Sequence, residues 1–178
     1  MRKFLAGIFA VIIIFAGLGF AFSDRIILGM MERVVERNMS TDLMAELPDG
    51  LHVALCGAGS PMPDAKRSGP CIAVIAGRHL YIVDSGSGGS KQLGLMGIPQ
   101  GQIEAVFLTH FHSDHIDGLG ELALQRWAGG ANSAPLPLIG PQGVERIARG
   151  FNEAYAQDFV YRVAHHGEDI VPRSGAGG

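Results

Sequence analysis

The chain has 178 residues, with 14 basic and 17 acidic side chains and a net charge of −3. That length allows one domain, or one domain plus an anchor, and 47% apolar residues exclude a disordered or highly charged tail. No basic stripe is present, so nucleic acid is not expected as a partner. Two cysteines are too few for a disulfide scaffold or a thiolate zinc site.

Arg2 and Lys3 precede an uncharged stretch, residues 4–22, closed by Ser23, Asp24 and Arg25. Such a run at ~1.5 Å per residue is long enough to cross a bilayer core. It reads as a retained signal anchor or a cleaved signal peptide over residues 1–23, and both readings export the rest of the chain. The expected location is the extracytoplasmic side of the inner membrane, with the membrane contacted through residues 4–22. Residues 24–47 carry Ile26, Ile27, Met30, Met31, Val34 and Val35 at helical spacing, predicting a helix. The segment 24–49 then serves as a spacer, ended by the turn chemistry of Pro48-Asp49-Gly50.

Residues 50–178 form the domain. Strands are predicted at Leu51–Cys56, Cys71–Ala76, Leu80–Val83, Ile103–Leu108 and Leu136–Ile139. Arg78-His79 is predicted to turn between the second and third. Helices are predicted at Ser90–Leu95, at Leu119–Trp127 (ended by Gly129-Gly130) and from Val144 to about Tyr155. Strands alternating with helices indicate an α/β fold. If the first two strands pair as a hairpin, Cys56 and Cys71 come near each other. They are then a disulfide, or two buried reduced thiols.

The segment Thr109-His110-Phe111-His112-Ser113-Asp114-His115 gathers three histidines and a carboxylate after an apolar strand. Alternation along an extended chain puts His110 and His112 on one side, where both can reach one metal ion. Asp114 and His115 come where the backbone curls toward the next helix, and can face a second metal. Imidazole and carboxylate donors suit zinc, or less decisively iron or manganese.

With these residues in place the sequence resembles the metallo-β-lactamase fold superfamily of metallo-hydrolases. Leu55-Cys56-Gly57-Ala58-Gly59-Ser60-Pro61, Val83-Asp84-Ser85-Gly86, Val106-Phe107-Leu108-Thr109 and Leu138-Ile139-Gly140-Pro141-Gln142-Gly143 occur in that group's order. The first and last are most similar to the ribonuclease Z and arylsulfatase-like branch. The resemblance covers about residues 51–150, the N-terminal half of such a domain. It implies a four-layer αββα sandwich with two divalent metal ions, most readily zinc, at one edge of the sheets. His110 and His112 would hold the first metal, and Asp114 and His115 the second. Asp84 would orient a ligand by hydrogen bonding. Two cations ~3.5–4 Å apart would activate a hydroxide, with Asp114 aligning the water and accepting its proton.

A complete domain of this kind supplies further ligands from its C-terminal half. Downstream, only His165 and His166 are candidates, as contacts to substrate or metal or as ordinary surface histidines. The chain is therefore expected to carry the N-terminal part of a longer protein. The function expected of the parent is hydrolysis of a small-molecule phosphodiester or sulfate ester. The alternatives are a degenerate, non-catalytic metal-binding domain, or a lactone or β-lactam hydrolase.

Overall fold

The computed structural model describes Ile27, Gly29, Met30, residues 42–62 and residues 64–178. The expected anchor over residues 4–22, and most of the expected helix 24–47, lie outside the described residues. Among the described residues no helix is long and apolar enough to cross a membrane.

Asp42 interrupts the predicted 24–47 helix. Its backbone is extended and its carboxylate accepts hydrogen bonds from the Met44 and Ala45 amides, so a separate helix α1 (Leu43–Glu46) starts there. After the turn at Gly50 comes the sheet. In β2 (Cys71–Ala76) every second side chain is buried, the signature of a strand with one face on the core. It pairs antiparallel with β1 (Leu51–Gly57) on one side and β3 (His79–Val83) on the other. The turn between β2 and β3 is Gly77-Arg78 rather than Arg78-His79, because Gly77 takes the left-handed conformation (φ 60°) and His79 joins the strand. Cys56 and Cys71 face each other across the β1–β2 hairpin, Cα atoms 5.0 Å apart, and form a disulfide.

A crossover through helix α2 (Gly89–Leu95) and a short 3-10 turn (Gln100–Gln102) returns the chain to β4 (Ile103–Phe107), parallel to β3. Helix α3 (Ser113–Ile116) and helix α4 (Leu119–Gly130) come next, then β5 (Leu138–Ile139) parallel to β4, and helix α5 (Val144–His166). The strand order is β1-β2-β3-β4-β5.

Two helices outrun their predicted ends. α4 continues through Gly129 and Gly130, because the absence of side chains at Gly130 and Gly101 lets the helix lie directly against the Gly101 backbone. Asn132 then ties the end down, donating to the Gly101 and Arg126 carbonyls. α5 runs on from Tyr155 to His166, held by packing of Phe159 on Trp127 (ring centroids 5.5 Å) and by burial of Val163.

Leu93, Leu119 and Leu122 from α2 and α4 share one buried cluster with Ile75, Leu80, Ile82 and Val106 of the sheet. The opposite face shows Leu51, Val53 and Leu55 at 59–73% exposure, with Phe107 and Ile139 also exposed. The described residues thus form one helical layer on one five-stranded sheet, two of the four layers that the resemblance implies.

Candidate functional site

Because β3 and β4 are parallel and Val83 pairs with Phe107, the loops that leave them emerge side by side at one sheet edge. The β3 loop begins with Asp84, which is buried and held at φ 59°. A left-handed aspartate is tolerated but strained, by roughly 1–3 kcal/mol. Its bonds offset that strain. The Asp84 amide donates to the Phe107 carbonyl (2.9 Å), and its Oδ1 accepts from the Thr109 amide (2.8 Å). Its Oδ2 accepts from Thr109 Oγ1 (2.8 Å) and His115 Nδ1 (2.7 Å).

The two loops are also locked through backbone. Ser85 donates to the His115 carbonyl and Gly118 to the Ser85 carbonyl, each at 2.8 Å. Gly86 packs so closely on the Asp114 carbonyl oxygen that a side chain there would collide with it. Position 86 therefore has to be glycine.

His112 is extended (ψ 145°) and caps α3, whose first turn carries Asp114 and His115. As alternation predicts, His110 and His112 come together, with His110 Nε2 and His112 Nδ1 2.9 Å apart. The His110 and His115 ring centroids are 4.1 Å apart, and His115 Nε2 lies 3.7 Å from Asp114 Oδ2. Asp84, His110, His112, Asp114 and His115 are thus gathered in one cluster.

His165 and His166 are not brought to it. They occupy the last turn of α5, whose first turn adjoins Phe111, and 22 residues of helix separate the ends by about 33 Å. Thr109 is the site residue that ligand spacing misses. It bridges Asp84 to His110, with Thr109 Oγ1 3.0 Å from His110 Nδ1. Its only signal in the sequence is a hydroxyl directly before the His-x-His run.

The donor chemistry of the cluster fits a divalent cation. Among the described residues, however, no three His, Cys, Asp or Glu side chains are already placed to hold one. His110 Nε2 is engaged by His112 Nδ1, so a cation taking both imidazoles must replace that hydrogen bond.

A family model described as the metallo-beta-lactamase superfamily matches residues 65–177, more than half of the chain. The chain belongs to the metallo-beta-lactamase superfamily. Its similar superfamily members include ribonuclease Z of Mycolicibacterium gilvum (strain PYR-GCK), 40% identical over 124 residues. That match covers 68% of this chain and 43% of that protein. Ribonuclease Z of Mycobacterium sp. (strain KMS) is 41% identical over 123 residues, 68% of this chain and 43% of that protein. Among solved structures, the short form of human tRNase Z superposes with a TM-score of 0.52 at 26% identity, covering 58% of this chain and 39% of that one. A long-form ribonuclease Z from yeast gives 0.52 at 15% identity, over 66% of this chain and 18% of that one, a likeness of fold alone. The chain spans less than half the length of the curated relatives it matches.

These relatives are ribonucleases by name, which overturns the expectation of a small-molecule ester and no nucleic acid. The lack of a basic stripe misled because it tests only runs of charge along the sequence. Recognition of a phosphate depends on the field at the site, where metal ions and a few local cations decide the sign.

Proposed function

We propose that the domain to which this chain contributes is a metal-dependent phosphodiester hydrolase acting on RNA. The observation that carries this reading is the fixing of His115. Asp84 accepts the hydrogen bond of its Nδ1 at 2.7 Å, which leaves Nε2 as the ring nitrogen for a cation. His110 and His112 would hold one divalent cation, Asp114 and His115 another, with zinc best suited to these donors. When bound, such cations lower the pKa of a water and stabilise charge on the phosphoryl oxygens. The remaining work falls to the chain's own groups. Asp84 and Thr109 keep His115 and His110 in orientation, and the half-buried Asp114 carboxylate aligns the attacking water and accepts its proton. The kinship with ribonucleases supports a phosphodiester over a sulfate ester, and gives no support to a lactone, a β-lactam or a degenerate domain.

The test is turnover of bis(p-nitrophenyl) phosphate and of an oligoribonucleotide by the zinc-loaded, full-length protein. Asp114→Ala should slow it by about 100-fold or more, and His112→Ala should abolish it. Equal rates in wild type and His112→Ala would remove the hydrolase reading.

We also propose that the domain works outside the cytoplasm. The uncharged stretch 4–22 and the Cys56–Cys71 disulfide support this. Protease added to intact cells with a permeable outer envelope should degrade it. Full protection would overturn that location.

A further inference from the structure

An open groove of about 700 Å³ lies between Phe111 of the site loop and the first turns of α5. Phe111, flanked in the chain by His110 and His112, lines one part of it, and Gln142, Glu145, Arg146, Ile147 and Arg149 are among the residues that line the rest. Gly143 stands at φ 102°, a conformation that favours glycine, and a Cβ there would lie 3.7 Å from Phe111 Cε2. The site loop and the start of α5 are therefore in near contact at Phe111.

Its chemistry is specific in kind. Arg146 and Arg149 stand three residues apart on one helix, ~5–6 Å between Cβ atoms. Both are exposed, and no ion pair engages either guanidinium among the described residues. Arg162 and Arg173, by contrast, are each paired with a carboxylate at 2.7–2.8 Å. Glu145 is the single acidic lining residue, so the groove carries a local excess of one positive charge beside an aromatic ring. An anion bearing a flat apolar group satisfies both features.

We propose that this groove seats a single-stranded stretch of the RNA outside the histidine cluster, with a base against Phe111 and phosphates on Arg146 and Arg149. This rests on the RNA-hydrolase reading above and adds the residues that would position the substrate. Phe111 and the two arginines are binding residues and carry out no proton transfer.

The experiment is fluorescence anisotropy of a labelled, mixed-sequence single-stranded oligoribonucleotide. It is run on the full-length protein in chelator, so that binding is read without turnover, over a series of salt concentrations. Arg146→Gln with Arg149→Gln should weaken binding and flatten the slope of log K against log salt by about 1.4, two phosphate contacts at ~0.7 each. Phe111→Leu should weaken binding about tenfold with no change in that slope. Glu145→Gln should tighten it. The arginine and glutamate positions are exposed, so those variants keep the fold even where Phe111→Leu, partly packed on the core, lowers stability.

Unchanged affinity and slope in the double variant would overturn the proposal. So would equal weakening toward heparin with no effect of Phe111→Leu in a folded protein, which would leave only an unspecific anion patch. Failure here is separable from failure of the hydrolase reading. His112-dependent turnover of the chromogenic diester with RNA affinity indifferent to the arginines sinks the groove alone. The expected affinity changes without any turnover sink the hydrolase alone.

Discussion

The two faces of the sheet have similar side chains and opposite surroundings. Ile75, Leu80, Ile82 and Val106 are buried under α2 and α4, whereas Leu51, Val53 and Leu55 stand open. Strand propensity is the same on both sides, so the strands form without reference to what covers them. The difference is that only the covered face gains the burial term, roughly 25 cal/mol per Å² of apolar surface. A contiguous open apolar face marks a surface made for contact, and in the αββα arrangement that the superfamily resemblance implies, a second sheet would lie there. The histidine cluster is at the rim between these two regimes, built on loops anchored from the covered side.

That contrast can be broken by truncation. Ile82→Ala, at a position with no exposed surface, should cost about 2–5 kcal/mol, while Val53→Ala at 63% exposure should stay within roughly 0.5 kcal/mol in residues 1–178. Urea denaturation of the two variants decides it, and equal losses would mean that something covers the open face. Next in size is the disulfide, which holds the otherwise open β1 to the covered β2. Cys56→Ser with Cys71→Ser should lower stability by about 3 kcal/mol, given the 15-residue separation. Thermal melts of the oxidised protein and the double variant measure this.

At the rim, Asp84→Asn should weaken zinc binding roughly 10- to 100-fold, because the amide no longer fixes His115 with a full negative charge. A competitive chelator titration reads that directly, and unchanged affinity would make Asp84 a purely architectural residue. The smallest effect belongs to the open face. There Glu104 accepts from His79 (2.6 Å) and from Tyr81 Oη (2.9 Å). The bond from His79, then that from Tyr81, holds the Glu104 carboxyl below its ordinary range, and the bond to Glu104 pushes the Tyr81 phenol up. The Glu104 contribution is present above the unfolded carboxyl value of about 4.3 and is lost as pH falls through its lower folded value. The Tyr81 contribution is present below about 10 and is lost as pH rises through its raised value. Carbon-detected NMR titration should place the Glu104 midpoint below that of an unstructured peptide, and Glu104→Gln should move Tyr81 down toward its ordinary value.

Local signals carry far in this chain. β2 is legible to the residue as an apolar run closed between Pro70 and Gly77, and the other strands to within a residue or two, because short apolar runs bounded by turn residues mark strands. The pairing of His110 with His112, and the placing of Asp114 and His115 on the next turn, also come from backbone geometry over seven residues. The features that escape are set by contacts distant in sequence. The Gly129-Gly130 pair looks like a stop signal, but Gly130 serves close approach to Gly101. α5 past Tyr155 mixes polar residues with Phe159, Val160, Tyr161 and Val163 and carries no stop signal before Gly167, and Trp127 with Phe159 carries it on.

The sequence alone therefore determined the strand pattern and the histidine-rich segment, because both are written in short-range pattern and spacing, and its motifs carried the resemblance to the superfamily. Only the tertiary structure decided that Asp84, twenty-five residues before Thr109 and thirty-one before His115, is the carboxylate that binds both. It also decided that Cys56 and Cys71 are bonded, that His165 and His166 stand a helix length away from the cluster, and that Arg146 and Arg149 share a groove with Phe111. Those relations depend on how parallel strands and long helices bring distant residues together, and one-dimensional spacing does not encode that distance.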